Sequence, residues 1–164
     1  MTNSIFSGVS LKARFAVWSM TIGAIAVPTL LMVTLGRSEP IARNSVFGCY
    51  TANNSPALLI RNDAVHTVEP ALRTLDYVAE ASKTSYQLNV RPALALATQS
   101  NGRYAFVEQQ GTGYFWPLLP ANGKNRNRIR HPKEFSGLFE VYATDGARIT
   151  YRRVSGSKVC RNVG

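Results

Sequence analysis

The stretch "LFEVYATDGARITYRRV", residues 138–154, predicts a β-hairpin. Asp145-Gly146 separates two runs that are rich in aromatic and β-branched residues. An Asp-Gly pair between two such runs is among the strongest short-range hairpin signals, because both residues tolerate the positive φ angles of a tight two-residue turn. We therefore expect two antiparallel strands here, at 137–144 and 147–154.

The chain before this hairpin shows the same two-residue periodicity. In "SYQLNVR", residues 85–91, Tyr86, Leu88 and Val90 alternate with polar residues, as in a half-buried strand. Turn-forming pairs such as Asn101-Gly102 separate the runs. The pattern predicts further strands at 57–61, 64–69, 74–81, 84–91, 93–98, 103–109 and 113–119.

About eight antiparallel strands predict an all-β domain over residues 47–164, folded as a small barrel or a sandwich. The two ends of this domain resemble lipocalin-type barrels. "FGCY", residues 47–50, is similar to the Gly-x-aromatic opening of that family, and Arg152 or Arg153 lies on the last predicted strand. The resemblance implies a barrel with one of these arginines across its end, and no functional residue is transferred from it.

An uncharged segment precedes this domain. "FAVWSMTIGAIAVPTLLMVTL", residues 15–35, has 21 residues without a charge. A helix of that length extends about 31 Å, close to the hydrocarbon thickness of a bilayer. The segment predicts a single transmembrane helix, and two alternatives stay open: a cleaved secretory signal and a core helix of a soluble domain.

The orientation of such a helix is not decided by flanking charge, because two Lys or Arg residues lie near each end. Residues 1–14 are too short to form a domain, so we expect them to stay in the cytoplasm. Residues 36–46 would then be a linker, and 47–164 a periplasmic or extracellular domain of a single-pass inner (plasma) membrane protein.

Cys49 and Cys160, the two cysteines of the chain, lie near the two ends of the predicted β domain. They belong to no metal-binding or redox motif, and we expect a disulfide bond between them. Such a bond requires an oxidising compartment, which agrees with export of the domain. Two unrelated buried thiols are the alternative.

Positive charge is concentrated in the last third of the chain. The formal net charge is +10, and residues 111–164 hold ten Lys or Arg against three acids. "NGKNRNRIRHPKEF", residues 122–135, directly follows the apolar stretch "GTGYFWPLLP", residues 111–120. An aromatic patch beside cations suits a protein partner or a membrane interface. The predicted contact residues are Tyr114, Phe115, Trp116, Lys124, Arg126, Arg128, Arg130 and Lys133.

Two alternatives without a binding role stay open for this surface: the basic loop is only solvated, and the apolar strand is covered by other parts of the chain. The expected partner is an envelope or membrane protein. Anionic lipid, an acidic glycan or a small apolar ligand is also compatible, and export of the domain disfavours nucleic acid.

Motifs for catalysis or cofactor binding do not emerge from the sequence. His66 and His131 lie at no metal-ligand spacing, and no nucleophile elbow or glycine-rich phosphate loop occurs. We therefore expect a non-enzymatic protein without metal or cofactor. The favoured function is a membrane-anchored binding or scaffold component of an envelope assembly, and the alternative is a small barrel that carries or senses an apolar ligand.

Overall fold

A computed structural model of the chain describes residues 10–35, 39–68, 73–110, 114–121, 129–155 and 158–160. The chain divides into two compact units, Met1–Ser38 and Glu39–Gly164. The first unit contains a helix and the second contains the β-strands.

Helix α1 runs over Leu11–Leu35 and contains Pro28. It includes the whole uncharged segment, so the prediction of a helix at 15–35 is confirmed. Large apolar side chains such as Phe15, Trp18 and Met20 are exposed along it. Among the helices of the described ranges, none meets the combined length and apolarity expected of a membrane span. The transmembrane role of 15–35 stays a prediction.

Ten strands follow within the described ranges, and eight of them close into an antiparallel barrel. Around the barrel the strand order is β1, β10, β9, β8, β5, β4, β3 and β2. Strands β6 and β7 pair with each other as a two-stranded sheet, and Leu96 of β6 also forms an isolated parallel bridge with Ala143. The strands are β1 Gly48–Thr51, β2 Leu58–Ile60, β3 Val65–Thr67, β4 Arg73–Ala81, β5 Tyr86–Arg91, β6 Leu94–Thr98, β7 Tyr104–Glu108, β8 Tyr114–Pro120, β9 Phe135–Tyr142 and β10 Arg148–Val154.

The all-β prediction is therefore confirmed, and of the two architectures expected the chain adopts the barrel. The hairpin predicted around Asp145-Gly146 is the β9–β10 pair, with Gly146 at a φ of +84°. The structure adds one strand that the periodicity did not predict, the four-residue β1. It also places β6 and β7 outside the barrel, because β5 pairs directly with β8.

Packed aromatic rings form a cluster in the interior of the barrel. Trp116 stacks on Phe139 at 5.6 Å between ring centroids, and Phe139 stacks on Tyr151 at 5.3 Å. Tyr50 contacts the other edge of the group, 4.9 Å from Phe139. All four of these side chains are fully buried. They come from strands β1, β8, β9 and β10, so one ring cluster joins four of the eight barrel strands.

The buried tyrosine hydroxyls are hydrogen-bonded and neutral. The hydroxyl of Tyr50 donates to the Val46 carbonyl at 2.8 Å, and that of Tyr151 donates to the Pro56 carbonyl at 2.9 Å. Burial raises the pKa of Tyr50 to about 12, although the Arg153 guanidinium partly opposes this shift. Burial also raises the pKa of Tyr151. These hydroxyls anchor loops to the core and are not free acid or base groups.

Arg153 covers one end of the barrel. Its guanidinium donates to the Ser45 and Phe47 carbonyls at 3.0 and 3.3 Å. Two glycines make room for it: a Cβ at Gly48 would lie 2.7 Å from Arg153 Cδ, and one at Gly137 would lie 2.8 Å from Arg153 Cβ. Of the two arginines considered from sequence, Arg153 takes this position.

The β6–β7 hairpin, Leu94–Glu108, covers the opposite end and is called the covering hairpin below. Phe106 extends the ring cluster, with its centroid 6.1 Å from that of Trp116. The backbone N–H of Tyr104 donates to the Asn54 carbonyl at 2.7 Å, and that of Thr144 donates to the Leu96 carbonyl at 2.8 Å. The hairpin is thus attached to two loops at this end of the barrel.

The predicted disulfide bond is confirmed. Cys49 on β1 is bonded to Cys160, with their Cα atoms 6.0 Å apart. Cys160 lies in a short 3₁₀ turn, Lys158–Cys160, that packs on Ala57 and Leu59. The bond therefore fixes the C-terminal turn against the outside of strands β1 and β2.

Candidate binding surface

The three aromatic residues predicted for a contact surface have different environments on β8. Trp116 is fully buried, at 0% exposure, and belongs to the ring cluster. Tyr114 is half-buried and packs against the same core. Phe115 points outward and is 48% exposed. Of the three, Phe115 is therefore the exposed apolar contact, and Trp116 is part of the core.

Two of the cations predicted for this surface are described, and both lie toward the other end of β8. Arg130 and Lys133 are exposed in the segment that follows this strand, whereas Phe115 is near its start. At about 3.4 Å per residue, Phe115 and Pro120 are about 17 Å apart along the strand. Lys124, Arg126 and Arg128 lie outside the described residues. The aromatic and the described basic residues are thus separate features.

The segment that carries the described cations also contacts the linker. The backbone N–H of Arg130 donates to the Glu134 carboxylate at 2.8 Å. The imidazole Nδ1 of His131 lies 3.9 Å from Glu39 Oε2. The hydroxyl of Tyr86 donates to the Glu39 carbonyl at 2.7 Å. Residues 129–134 and Glu39 therefore lie together, at the barrel end that Arg153 covers.

Phe115 belongs to an apolar pair on the outside of three adjacent strands. Val78 on β4 is opposite Asn89 on β5, and Asn89 is opposite Phe115 on β8. Residues paired in this way present their side chains on the same face. Val78 is 53% exposed, so Asn89 lies between two exposed apolar side chains. We call this region, Val78, Asn89 and Phe115, the outer apolar face.

A row with two polar side chains, Glu80 and Gln87, borders the outer apolar face. Glu80, Gln87 and Pro117 are opposite one another on the same three strands. Glu80 Oε1 accepts a hydrogen bond from Gln87 Nε2 at 3.2 Å and one from Asn89 Nδ2 at 3.5 Å. These bonds fix the amide groups, so the surface around Phe115 is preorganised.

Sequence reasoning missed Val78 and Asn89 as parts of this surface. Val78 lies in "TLDYVAEA" among the residues that alternate with buried ones, and nothing in its own segment marks it as a surface contact. Its relation to Phe115 depends on the register of β4 with β5 and of β5 with β8. The register between these strands cannot be read from a single sequence.

Asp145 in the β9–β10 turn holds the covering hairpin. Its Oδ1 accepts from the Ala147 backbone N–H at 2.9 Å. Its Oδ2 accepts from the Thr98 hydroxyl at 2.9 Å and the Tyr104 hydroxyl at 3.3 Å. The Ala147 N–H, and after it the Thr98 hydroxyl, lower the pKa of Asp145 below its ordinary value.

We expect replacement of Asp145 by Ala to loosen the covering hairpin. Because the folded-state pKa is lowered, the carboxylate contributes stability above its unfolded pKa, and this contribution is lost as the pH falls through the folded value. Amides of Leu94–Glu108 should therefore exchange faster in Asp145→Ala than in the wild type at neutral pH, and the difference should vanish in acid. Asp76→Ala, which removes an exposed carboxylate from β4, is the control. Equal exchange at neutral pH would contradict this role.

Taken together, these elements define a closed, eight-stranded antiparallel barrel with a covering hairpin, a cluster of buried rings inside it and an exposed apolar pair on its outside. Comparison of the chain with protein-family models, with curated proteins and with solved structures gives no match. Its function is therefore argued from its own residues.

Proposed function

We propose that the chain is a membrane-anchored, extracytoplasmic binding component of an envelope assembly, and that its barrel binds a protein partner through the outside of the sheet. The barrel is a scaffold in this proposal, and the outer apolar face is its contact surface. The uncharged segment 15–35 anchors the protein in the membrane.

The observation that carries the proposal is the cluster of packed rings inside the barrel. The ring cluster of Trp116, Phe139, Tyr151 and Tyr50 is fully buried, and Phe106 extends it toward the covering hairpin. Small barrels of eight strands either fill their interior with side chains or hold one small ligand. The packed rings of this barrel support the first pattern, which favours binding on its outside over the alternative of a carrier for an apolar ligand.

The disulfide bond supports the location. Bonds of this kind persist in oxidising compartments and are rare in the cytosol. Cys49 and Cys160 are bonded in the folded domain, and α1 contains 21 consecutive uncharged residues. An N-terminal anchor followed by an exported domain accounts for both features.

The outer apolar face supports a protein partner. Exposed apolar side chains that lie singly need no explanation, but a preorganised pair bordered by polar groups resembles the core of an interface with its rim. Val78 and Phe115 are about half exposed, at 53% and 48%. Aromatic residues are also enriched among those that dominate binding energy.

Replacement of Phe115 by Ser should reduce capture of the partner, when the full-length protein is crosslinked in its native membranes and purified. The loss of a buried aromatic anchor weakens binding by at least about 2 kcal/mol, or roughly 30-fold in Kd. Val159→Ser is the matched control, because Val159 is 50% exposed and lies on the opposite side of the barrel, beside β1 and β2.

A separate variant tests the basic segment. Arg130→Glu with Lys133→Glu reverses two exposed charges at the barrel end that Arg153 covers. Loss of capture in this variant, with normal capture in Phe115→Ser, would move the contact surface to that end. Unchanged capture in both variants would reject both surfaces.

A further inference from the structure

A cleft of about 350 Å³ lies beside the outer apolar face. Its walls come from the β4–β5 turn and from strands β5, β8, β9 and β10. Pro117 and Leu119 provide an apolar wall, and the polar lining includes Gln87, Glu140, Tyr142 and Arg148. The volume is near the lower end of the range for small-molecule sites, so the cleft suits one side chain or one small ion.

Glu140 is the unusual group in this cleft. Glu140 is only 9% exposed. Among the residues whose burial is described, it is one of two that are both buried and polar or charged. Over the described ranges it forms neither a hydrogen bond nor an ion pair. The carboxylate oxygens are not among the fully buried unpaired polar atoms of the described residues, so they face the water of the cleft and not the protein interior. An unpaired carboxylate that lines a cleft is therefore a site for a donor from outside the chain.

Arg148 lines the same cleft but does not neutralise Glu140. Its guanidinium lies over the Tyr142 ring, 5.6 Å from the centroid. Glu140 is opposite Thr150 in the β9–β10 ladder, and Arg148 is opposite Tyr142, so the two charged residues are diagonal neighbours. The guanidinium packs on that ring, and no ion pair between Arg148 and Glu140 forms in the described part of the chain.

We propose that the cleft binds an organic cation, with the Glu140 carboxylate accepting hydrogen bonds from its ammonium or guanidinium group. Pro117 and Leu119 would contact the aliphatic stem of such a ligand, in the way that apolar surface commonly covers the stems of Lys and Arg. The cation is either a Lys or Arg side chain of the protein partner or a free small cation. The first source rests on the proposed function, and the second does not.

Titration of the full-length protein in detergent micelles with methylguanidinium and with n-butylammonium tests the site, with amide shifts of β5, β8 and β9 as the readout. Saturable shifts around the cleft are expected. Glu140→Gln should weaken binding at least 10-fold, because a charge-assisted hydrogen bond is lost. Arg148→Gln should strengthen it, because a competing positive charge is removed. Glu108→Gln, which makes the same change at an exposed carboxylate on β7, should leave binding unchanged.

Partner capture by Glu140→Gln distinguishes the two sources. If this variant weakens both the small cations and the capture, the partner supplies the group. If it weakens the small cations alone, a free cation is the ligand. Absence of saturable shifts, or equal shifts in the wild type and Glu140→Gln, would overturn the proposal and leave the contact through Phe115 untouched. A marked fall in the Tm of Glu140→Gln would also overturn it, because the carboxylate would then have a partner within the chain.

Discussion

Removal of the Cys49–Cys160 bond is expected to lower the free energy of unfolding by about 4.7 kcal/mol in the chain-entropy model. The bonded cysteines are 111 positions apart, so the bond closes a loop of 112 residues that contains nearly the whole barrel. Reduction or substitution frees the ends of this loop in the unfolded chain, whose conformational entropy then increases. Folding must overcome that additional entropy.

Urea unfolding of the Cys49→Ala, Cys160→Ala double variant measures this effect against the oxidised wild type. The wild type kept in reductant is a second reference, because it retains the cysteine side chains next to Ala57 and Leu59. A destabilisation below about 1 kcal/mol would show that the unfolded chain is already constrained, so that the bond adds little. The m-value should rise when the bond is removed, because the unfolded state expands.

The same two thiols report where the domain resides in the cell. Cysteines that are exported become oxidised, so they should resist alkylation in intact cells until a reductant is added. Free, alkylatable thiols in freshly lysed cells would contradict export of the barrel. In that case the basic residues of 111–164 would be better matched to a nucleic acid.

The sequence predicted local structure in this protein better than it predicted assembly. Alternating residues such as Tyr86, Leu88 and Val90 are buried on one face, and the Asp145-Gly146 hairpin forms where the turn residues lie. These features depend on neighbours in the chain. The short strand β1 was missed, because four residues that include Gly48 and Cys49 show no clear alternation.

The contact surface illustrates what one sequence leaves open. In "YFWPLL", every position is aromatic or apolar, so periodicity alone does not say which face is buried. The structure shows which face is buried. Trp116 and Leu88 are opposite each other and both point inward, whereas Phe115 is opposite Asn89 and points outward. The Cys49–Cys160 bond was predicted because its chemistry requires only two cysteines and an oxidising compartment. The pairing of Val78 with Phe115 across β5 requires two registers, and these are set by the packed barrel.

Replacement of Trp116 by Ala should destabilise the domain by about 3–5 kcal/mol, as expected for a large aromatic side chain removed from a core. Trp116 is fully buried and contacts Phe139 and Phe106, so its loss leaves a cavity between the barrel wall and the covering hairpin. Thermal unfolding followed by circular dichroism measures the effect. Phe115→Ala is the matched control on the adjacent position, and it should cost no more than about 0.5 kcal/mol because its ring is 48% exposed.

The contrast between these two neighbours tests the central physical argument about function. If Trp116→Ala is strongly destabilising and Phe115→Ala is not, the rings of the interior serve stability, and partner binding must use outward side chains. If the two variants are equally stable, the interior around Trp116 is loosely packed, and a small apolar molecule could bind in that interior. Native mass spectrometry of the full-length wild type would then be expected to show a co-purifying ligand. A filled interior predicts the reverse result: a large loss of stability at Trp116 and no bound molecule.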